Sequence, residues 1–414
     1  MSHNEFETAN PLGPVAEKVK QLIGSCNNNE QTNFDVMVLG VGSMGSSTCY
    51  YLAKQGIKVL GLEQFDIPNE MSSHAGQSRI IRKAYFEHSD YVPLLERSYQ
   101  NWKQLENMTG TQVYFQTGLL YFGKADHPMM KGVNESADKY NIKLDRLSAR
   151  DMAAKFPQIK IADDYEKLYE PGAGFITPER AILLYTENAL QSGAVIKTKV
   201  KVLDWNKTKD GVQVTTSAGN YFAKKLIITI GPWAAKMIPG LSSTLSVTRQ
   251  VVAWVIPKNI PLFELGNLPC WLIADDDRPG AYYGFPVLPT DRFYGPTGFK
   301  IAHHYPGAVS DPDTISRVLT PADEANLVYA LNKFFPEGYK STQVMKTCMY
   351  TNTPDENFIL DFLPGYDKDV IIATGFSGHG YKFASVVGEI MSDLATKGNT
   401  DLPIRFLNAS RFEK

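Results

Sequence analysis

Three glycines and an acid sit at the spacing that holds a dinucleotide. Gly40, Gly42 and Gly45 make a G-x-G-x-x-G run, with Ser43 and Met44 inside it, and Glu63 follows 23 positions after Gly40. In such a run the first glycine permits a tight turn. The second lets the backbone approach a pyrophosphate, and the third lets a helix pack close to a strand. The N–H groups opening that helix, with its dipole, attract the phosphate anion. Glu63, with Gln64 beside it, closes an apolar run. An acid there accepts from ribose hydroxyls and disfavours a 2′-phosphate, hence NADP. The run alone does not separate NAD from FAD.

Two more groups of reactive types lie near the other end. Thr347-Cys348-Met349-Tyr350 sets a thiol near a phenol, and Gly375-Phe376-Ser377-Gly378-His379-Gly380-Tyr381-Lys382 is a glycine-rich loop ending in a cation. A free cysteine is commonly just a small buried apolar residue. Lys382 starts a helical segment, where the dipole disfavours a cation. A residue set against its local preference is a sign of function. Lys300 stands in a β-like run, 298–304, although lysine is depleted in strand interiors. A solvated edge-strand lysine is the alternative.

The elements that must position these residues follow from hydrophobic spacing. The run 34–39 predicts a strand, and 43–55 predicts a helix with Gly45, Thr48, Cys49 and Leu52 on one face. Gly56 stops the helix, and 57–62 predicts a second buried strand. Together they make a β-α-β unit of about thirty residues. Ahead of it, 14–23 predicts a short helix with Val15, Val19, Leu22 and Ile23 on one side. The Asn-rich 26–32 reads as a loose linker, and 1–33 as a cap or tail. A helix is expected over 90–108 and paired short strands over 112–122. Residues 196–230 read as a β-meander with turns at Asp210-Gly211 and Ala218-Gly219. Residues 245–345 suit an antiparallel sheet in a second domain. The chain closes with a strand over 369–374, the glycine loop, and a helix over 382–396. The nucleotide-binding part is therefore discontinuous, drawing on the N-terminus, on 175–245 and on the C-terminus.

Bulk properties narrow the classes. A chain of 414 residues is too long for one core, so two domains are expected. Its 43% hydrophobic and 21% charged content is ordinarily globular. A net charge of −2 without a basic block argues against nucleic acid as a partner. Apolar runs are broken before membrane-spanning length, so no membrane partner is expected. The first residues lack a secretory n-region and h-region, and Ser410-Arg411-Phe412-Glu413-Lys414 is no peroxisomal address. A cytoplasmic protein is expected. Cys26, Cys49, Cys270 and Cys348 form no C-x-x-C pair, so neither a disulfide framework nor a zinc site is implied. His303 and His304 are adjacent and would point to opposite faces of a strand. No metal is expected.

Five stretches, in order, resemble one family. They are Ser73-His74-Ala75-Gly76-Gln77-Ser78-Arg79-Ile80-Ile81-Arg82, Arg249-Gln250-Val251-Val252, Tyr282-Tyr283-Gly284-Phe285-Pro286, Cys348-Met349-Tyr350-Thr351 and Gly375-Phe376-Ser377-Gly378-His379-Gly380-Tyr381-Lys382-Phe383. The chain is similar, over 34–412, to the monomeric sarcosine oxidase and N-methyl-tryptophan oxidase family of the glycine/D-amino-acid oxidase superfamily. The resemblance implies an α/β (α+β two-domain) fold. After an N-terminal extension, 1–33, a discontinuous Rossmann-type FAD-binding domain would take 34–115, 176–245 and 347–414. An antiparallel-sheet substrate domain would take 116–175 and 246–346. The resemblance also implies a monomer, with FAD bonded through the sulfur of Cys348 to the flavin 8α-carbon.

It assigns roles as well. Arg82 and Lys382 would bind a substrate carboxylate, one as a planar fork and one as a point charge. Arg79 would lie close to the flavin ring and stabilise negative charge on it; a structural ion pair is the alternative. Lys300 would promote reaction with oxygen. His304 rather than His303, with Tyr283 and Tyr350, would flank the reacting amine, since aromatic walls suit an uncharged nitrogen. Ser73, His74, Val202, Gly231, Trp233, Gly375, Ser377, Gly378, His379, Gly380 and Lys382 would hold the cofactor. The family often has a second histidine after His74, where this chain has Ala75. The stretch between Pro286 and Lys300 is longer than in relatives.

The implied reaction oxidises a secondary amine with O2, giving an imine that water hydrolyses, and hydrogen peroxide. No triad of nucleophile, base and orienter is visible. The implied substrate is an N-methyl amino acid, sarcosine-like or N-methyl-tryptophan-like; a cyclic imino acid or a glycated amino acid is the alternative. A flavin dehydrogenase using an electron carrier is a rival class, against which Lys300 argues. An NAD-linked enzyme or a nucleotide-binding regulator is another, against which Cys348 and the 375–382 loop argue.

Overall fold

The computed structural model describes residues 12–27, 30–305 and 307–413. Val36, Met37, Val38 and Leu39 are apolar in succession, as a strand covered on both faces requires. They belong to the strand Asn33–Leu39, which pairs in parallel with Val59–Leu62 on one side and Gly219–Ile228 on the other. Helix Ser43–Ala53 makes the crossover. Val59–Leu62 pairs in parallel with Val195–Lys197. Gly219–Ile228 continues into the meander through Val212–Thr216 and Val202–Lys207, both antiparallel. It also pairs in parallel with Val370–Thr374, which is backed by Ile359–Phe362. Strands from three distant stretches thus share one sheet.

Helices Ser43–Ala53, Pro178–Gln191 and Ala384–Lys397 pack through Leu52, Leu183 and Ile390 into one core on a face of this sheet. Helix Gly13–Asn27 sets Val19 and Ile23 into the same core, against Pro178–Gln191 and Val195–Lys197. This is the expected cap. The expected tail at 1–11 and part of the linker, 28–29, lie outside the described residues.

Among the described residues a second sheet has the order Ser341–Asn352, Ser246–Ile256, Phe299–His304, Ala281–Phe285, Cys270–Ala274, Leu119–Lys124, Tyr165–Glu170, Asp145–Arg146. Its neighbours are antiparallel except Cys270–Ala274 with Leu119–Lys124, which run in parallel. Helix Pro321–Phe334 packs on this sheet through Leu327, Leu331 and Phe334. The antiparallel sheet expected over 245–345 does not account for this helix, which the structure adds. The short strands expected over 112–122 exist but do not pair with each other. Tyr114–Phe115 joins Gly174–Ile176 in a small sheet with Arg79–Ile81, whereas Leu119–Lys124 belongs to the large one. Among the described residues no helix is long and apolar enough to cross a membrane.

Candidate active site

A cavity of about 510 Å³ opens where Leu39, Leu62 and Thr374, at the carboxyl ends of the parallel strands, meet the second sheet. This is where a doubly wound sheet binds its ligands. Gly40 has φ +81°, and a Cβ there would lie 2.8 Å from the Thr229 carbonyl oxygen. A Cβ on Gly45 would lie 1.8 Å from the Gly40 oxygen, so packing alone requires that glycine. Gly42 has ordinary clearance, and with Ser43 and Met44 it faces the cavity. The Glu63 carboxylate accepts from the N–H of Val41 (2.9 Å) and of Phe65 (3.0 Å). Burial pushes this acid up to about 6. Glu63 and Gln64 both reach the cavity, as do Ser73, Val202, Gly231 and Trp233.

This trough fits FAD on its own atoms. His74 Nε2 and Thr374 Oγ1 are buried on its wall without a partner among the described residues. Such atoms are costly unless a ligand satisfies them. Burial lowers His74 to about 4, so its ring is neutral at pH 7 and keeps one donor and one acceptor nitrogen. A strap of polar contacts ties Trp233, Lys236 and Asp313 together on the trough wall. Asp313 accepts from Trp233 Nε1 (2.8 Å) and pairs with Lys236 (2.5 Å), which also pairs with Asp311 (2.7 Å).

The second sheet makes the other wall, and its pleat chooses the residues. Along Phe299–His304, Phe299 and Ile301 enter the core, so Lys300, Ala302 and His304 share the opposite face. Pairing sets Tyr283 opposite Ala302. Cys348 and Tyr350 share a face of Ser341–Asn352. Leu272, Tyr283, His304, Cys348 and Tyr350 all line the cavity. His304 Nδ1 is 3.4 Å from the Tyr350 hydroxyl. Burial lowers His304 to about 4 and raises both tyrosines, so all three are neutral at pH 7. His303 stacks on Tyr282 with ring centres 4.3 Å apart and is not on the wall. Burial raises the Cys348 thiol, against the opposing pull of Arg79, Lys300 and Arg317.

Arg79 reaches the cavity, and its guanidinium donates to carbonyl oxygens of Ala75 (2.7 Å), Ser78 (2.9 Å) and Ser73 (3.0 Å). Lys300 stands behind the wall. Its ammonium donates to the carbonyls of Gly76 (2.5 Å) and Ser78 (2.8 Å).

At the far end the cations cluster. Arg82 donates to both oxygens of Glu87 (2.8 and 2.7 Å) and to the Ala84 carbonyl (2.8 Å). Its guanidinium lies 4.3 Å from the Tyr85 ring centre and 4.2 Å from that of Phe86. Burial would raise Glu87, yet Arg82, His379 and Lys382 together outweigh it and hold this acid near 2. Lys382 donates to the His379 carbonyl (2.6 Å), and burial, then Arg82, lowers it to about 7. Lys382 lies in the short turn Tyr381–Phe383 ahead of helix Ala384–Lys397, not in the helix itself. His379, lowered by burial to about 3, accepts from the Tyr85 hydroxyl at Nδ1 (2.5 Å) and donates to the Glu356 carbonyl at Nε2 (2.9 Å).

The glycine loop brings this end against the sheet. Gly378 has φ +79°, and a Cβ there would lie 2.3 Å from Tyr350 Cε2. Gly375, Gly378, His379, Gly380 and Lys382 line the cavity, whereas Ser377 faces away and bonds Gly375 and Thr353. Of the residues given a catalytic, substrate or cofactor role in the sequence, only Gly45, Ser377 and Lys300 are off the wall. The sequence reading missed Glu87, Phe86 and Thr374, which are on it. Nothing in their spacing marks them; folding brings them in.

The comparisons with known proteins agree with this geometry. The family model described as FAD dependent oxidoreductase matches residues 35–394. Monomeric sarcosine oxidase of Bacillus sp. (strain NS-129) is 37% identical over 385 residues, covering 92% of this chain and 97% of that protein. N-methyl-L-tryptophan oxidase of Escherichia coli O17:K52:H18 (strain UMN026) is 32% identical, covering 92% of this chain and 100% of that protein. Among solved structures, the open form of NikD, an unusual amino acid oxidase essential for nikkomycin biosynthesis, superposes with TM-score 0.80 at 23% identity, covering 91% of this chain and 98% of that one. That last likeness speaks to the fold. The chain belongs to the FAD-dependent oxidoreductases, in the family of monomeric sarcosine oxidase and N-methyl-L-tryptophan oxidase.

Proposed function

We propose that the protein oxidises the secondary amine of an N-methyl amino acid, sarcosine-like or N-methyl-tryptophan-like, with O2, and that Cys348 is the point where FAD is attached. The observation that carries this reading is a neutral aromatic wall beside two buried cations. Tyr283, Tyr350 and His304 form the wall, Arg82 and Lys382 are the cations, and all open onto the trough that begins at Gly42. Bound there, FAD would take two electrons from the amine and pass them to O2, giving an imine and hydrogen peroxide.

The chain's own residues do the rest. Arg82 and Lys382 bind the carboxylate and so aim the amine nitrogen toward the aromatic wall. The substrate carboxylate must compete with Glu87 for the Arg82 fork. The neutral wall excludes water and favours the uncharged amine, which alone has a lone pair to give. Burial raises the Cys348 thiol, and Arg79, with Lys300 behind it, pulls it the other way, toward the thiolate needed for attachment. Four free cysteines suit a reducing compartment, in keeping with a cytoplasmic monomer.

A panel of N-methyl and cyclic amino acids, scored by peroxide release, tests the substrate class. Sarcosine or N-methyl-tryptophan should lead the panel. Turnover that needs an added electron acceptor and yields no peroxide would overturn the oxidase reading. Acid-precipitated protein should stay yellow, and Cys348→Ala should lose that colour to the supernatant. Colour that washes out of the unmodified protein would remove Cys348 as the attachment.

A further inference from the structure

The turn that presents Arg79 is gripped from both sides of its peptide groups. On the N–H side, Glu179 Oε1 accepts from Gly76 (2.8 Å) and Gln77 (3.1 Å). On the carbonyl side, Lys300 takes the oxygens of Gly76 and Ser78, and Arg79 those of Ser73, Ala75 and Ser78. The turn has φ +123° at Gly76 and +71° at Gln77. Such a conformation in a non-glycine residue persists only when its surroundings hold it. The Gln77 side chain adds two ties, accepting from Trp254 Nε1 (2.9 Å) and donating to the Pro296 carbonyl (3.1 Å). Glu179 is buried in the first turn of helix Pro178–Gln191, after Pro178, where the dipole favours an anion.

The two cations have no carboxylate in contact. Among the described residues neither Arg79 nor Lys300 makes an ion pair. Lys300 is faced by Arg79, Glu179, Cys348 and Cys270, and by the rings of Phe285 (4.5 Å) and Trp254 (5.4 Å). Burial and then Arg79 hold its basicity well down, and Glu179 is the carboxylate that opposes them. Its charge reaches the cations across the peptides of the turn, with its oxygen at their N–H ends and the cations at their C=O ends.

We propose that Glu179 is a positioning residue for the oxidation: it holds the Gly76–Gln77 turn and, through that turn, seats and balances the Arg79 and Lys300 cations on the Cys348 side of the cavity. This rests on the FAD reading above. Wild-type protein that carries no flavin, or yields no peroxide, would sink that reading before any variant is compared.

The test uses the holoenzyme and three variants. Glu179→Gln keeps an acceptor and loses the charge, Glu179→Asp keeps the charge and shortens the reach, and Glu179→Ala loses both. Hydrogen exchange of the peptide spanning 73–79 reads the seat. Glu179→Ala should exchange at least about tenfold faster than wild type. Reoxidation of amine-reduced enzyme by O2, followed against pH, reads the charge. In Glu179→Gln it should slow about tenfold, with its pH midpoint about one unit lower, while the KM for the amine holds. Wild-type exchange in Glu179→Ala would overturn the positioning claim. A wild-type pH profile in Glu179→Gln would overturn the charge claim. Should Glu179→Gln fail to keep flavin, Glu179→Asp decides: a wild-type midpoint supports the charge claim, and a lowered one overturns it.

Discussion

Lys382 offers the sharpest perturbation, because its cost can be worked out before its use. Burial and the neighbouring Arg82 bring it from 10.5 to about 7. That fall corresponds to a penalty on the order of 5 kcal/mol for keeping the ammonium charged in the substrate-free protein. The sign follows from which state holds the proton. Below pH 7 the folded protein carries the buried charge and the full penalty. As pH rises from 7 toward 10.5 the unfolded chain alone stays protonated, and stability increases. A carboxylate entering the cavity reverses the balance, since it pulls the lysine back to its charged form. Binding an acid at pH 8 to 9 should therefore take up close to one proton. A non-oxidisable thioether acid, with sulfur where the amine nitrogen would be, allows this to be measured by calorimetry in buffers of different ionisation enthalpy. Lys382→Met should abolish the uptake. It should raise Tm at pH 6 and raise the KM for amino-acid substrates about 10- to 100-fold, from a lost charge-assisted bond of about 1.5–3 kcal/mol. The dissociation constant of the thioether acid should climb above pH 7 in wild type and stay flat in Lys382→Met. Uptake that survives in the variant would refute the reasoning and move the proton elsewhere, with Glu87 the next candidate once Arg82 turns to the substrate.

Other perturbations follow from single contacts. Glu87→Gln leaves Arg82 buried without its anion, which should cost about 3–5 kcal/mol of stability in the substrate-free protein; thermal melts with and without a bound acid should show ligand restoring more Tm than in wild type. Asp313→Ala cuts the strap to Trp233 and Lys236; in a Cys348→Ala background it should speed flavin loss on gel filtration, and equal retention would show the strap idle. Gly378→Ala forces a Cβ against the Tyr350 ring at a positive φ. Strain and overpacking of about 1–3 kcal/mol should lower Tm by a few degrees and raise the KM for the amine.

Legibility in the sequence tracked the distance over which each feature is decided. The unit from Asn33–Leu39 through Ser43–Ala53 to Val59–Leu62 is local, and its spacing gave bounds within two residues of those found. The turns of the meander were readable too, because Gly211 and Gly219 mark them, but its start was not: it begins at Val202, and Val195–Lys197 pairs in parallel with Val59–Leu62 instead. Non-local pairing was not readable. Leu119–Lys124 looks like the second arm of a hairpin, yet its partners are Tyr165–Glu170 and Cys270–Ala274. Helix Pro321–Phe334 did carry a local signal, the Thr320 and Asp323 capping box with Pro321 behind the cap, which the aromatic content of the region overshadowed. At the site, Gly42, Glu63 and the 375–382 loop could be named from spacing or likeness. Glu87 and Glu179 could not, since each is defined by what it touches, five and about a hundred residues away.

The charges on the cavity wall explain why the site needs residues from both sheets. Arg79, Arg82, Lys201, Lys236 and Lys382 face it against Glu63, Glu87 and Asp313. Five basic groups against three carboxylates, with Lys382 only about half-charged at pH 7, leave a net positive wall that suits an anionic ligand such as a diphosphate. Once that anion is seated, Arg82 remains tied to Glu87, and Lys382 bonds only a carbonyl oxygen. The two residues lie about three hundred positions apart in the chain, Arg82 just after the strand Arg79–Ile81 of the small sheet and Lys382 after Val370–Thr374. Neither segment could hold two like charges together alone. Each is anchored by its own core, so the repulsion between Arg82 and Lys382 is borne by packing and by Glu87 until an acid arrives. A binding site strained in this way is selective by construction: an amine without a carboxylate gains nothing from it, and an amino acid recovers what the fold has already spent.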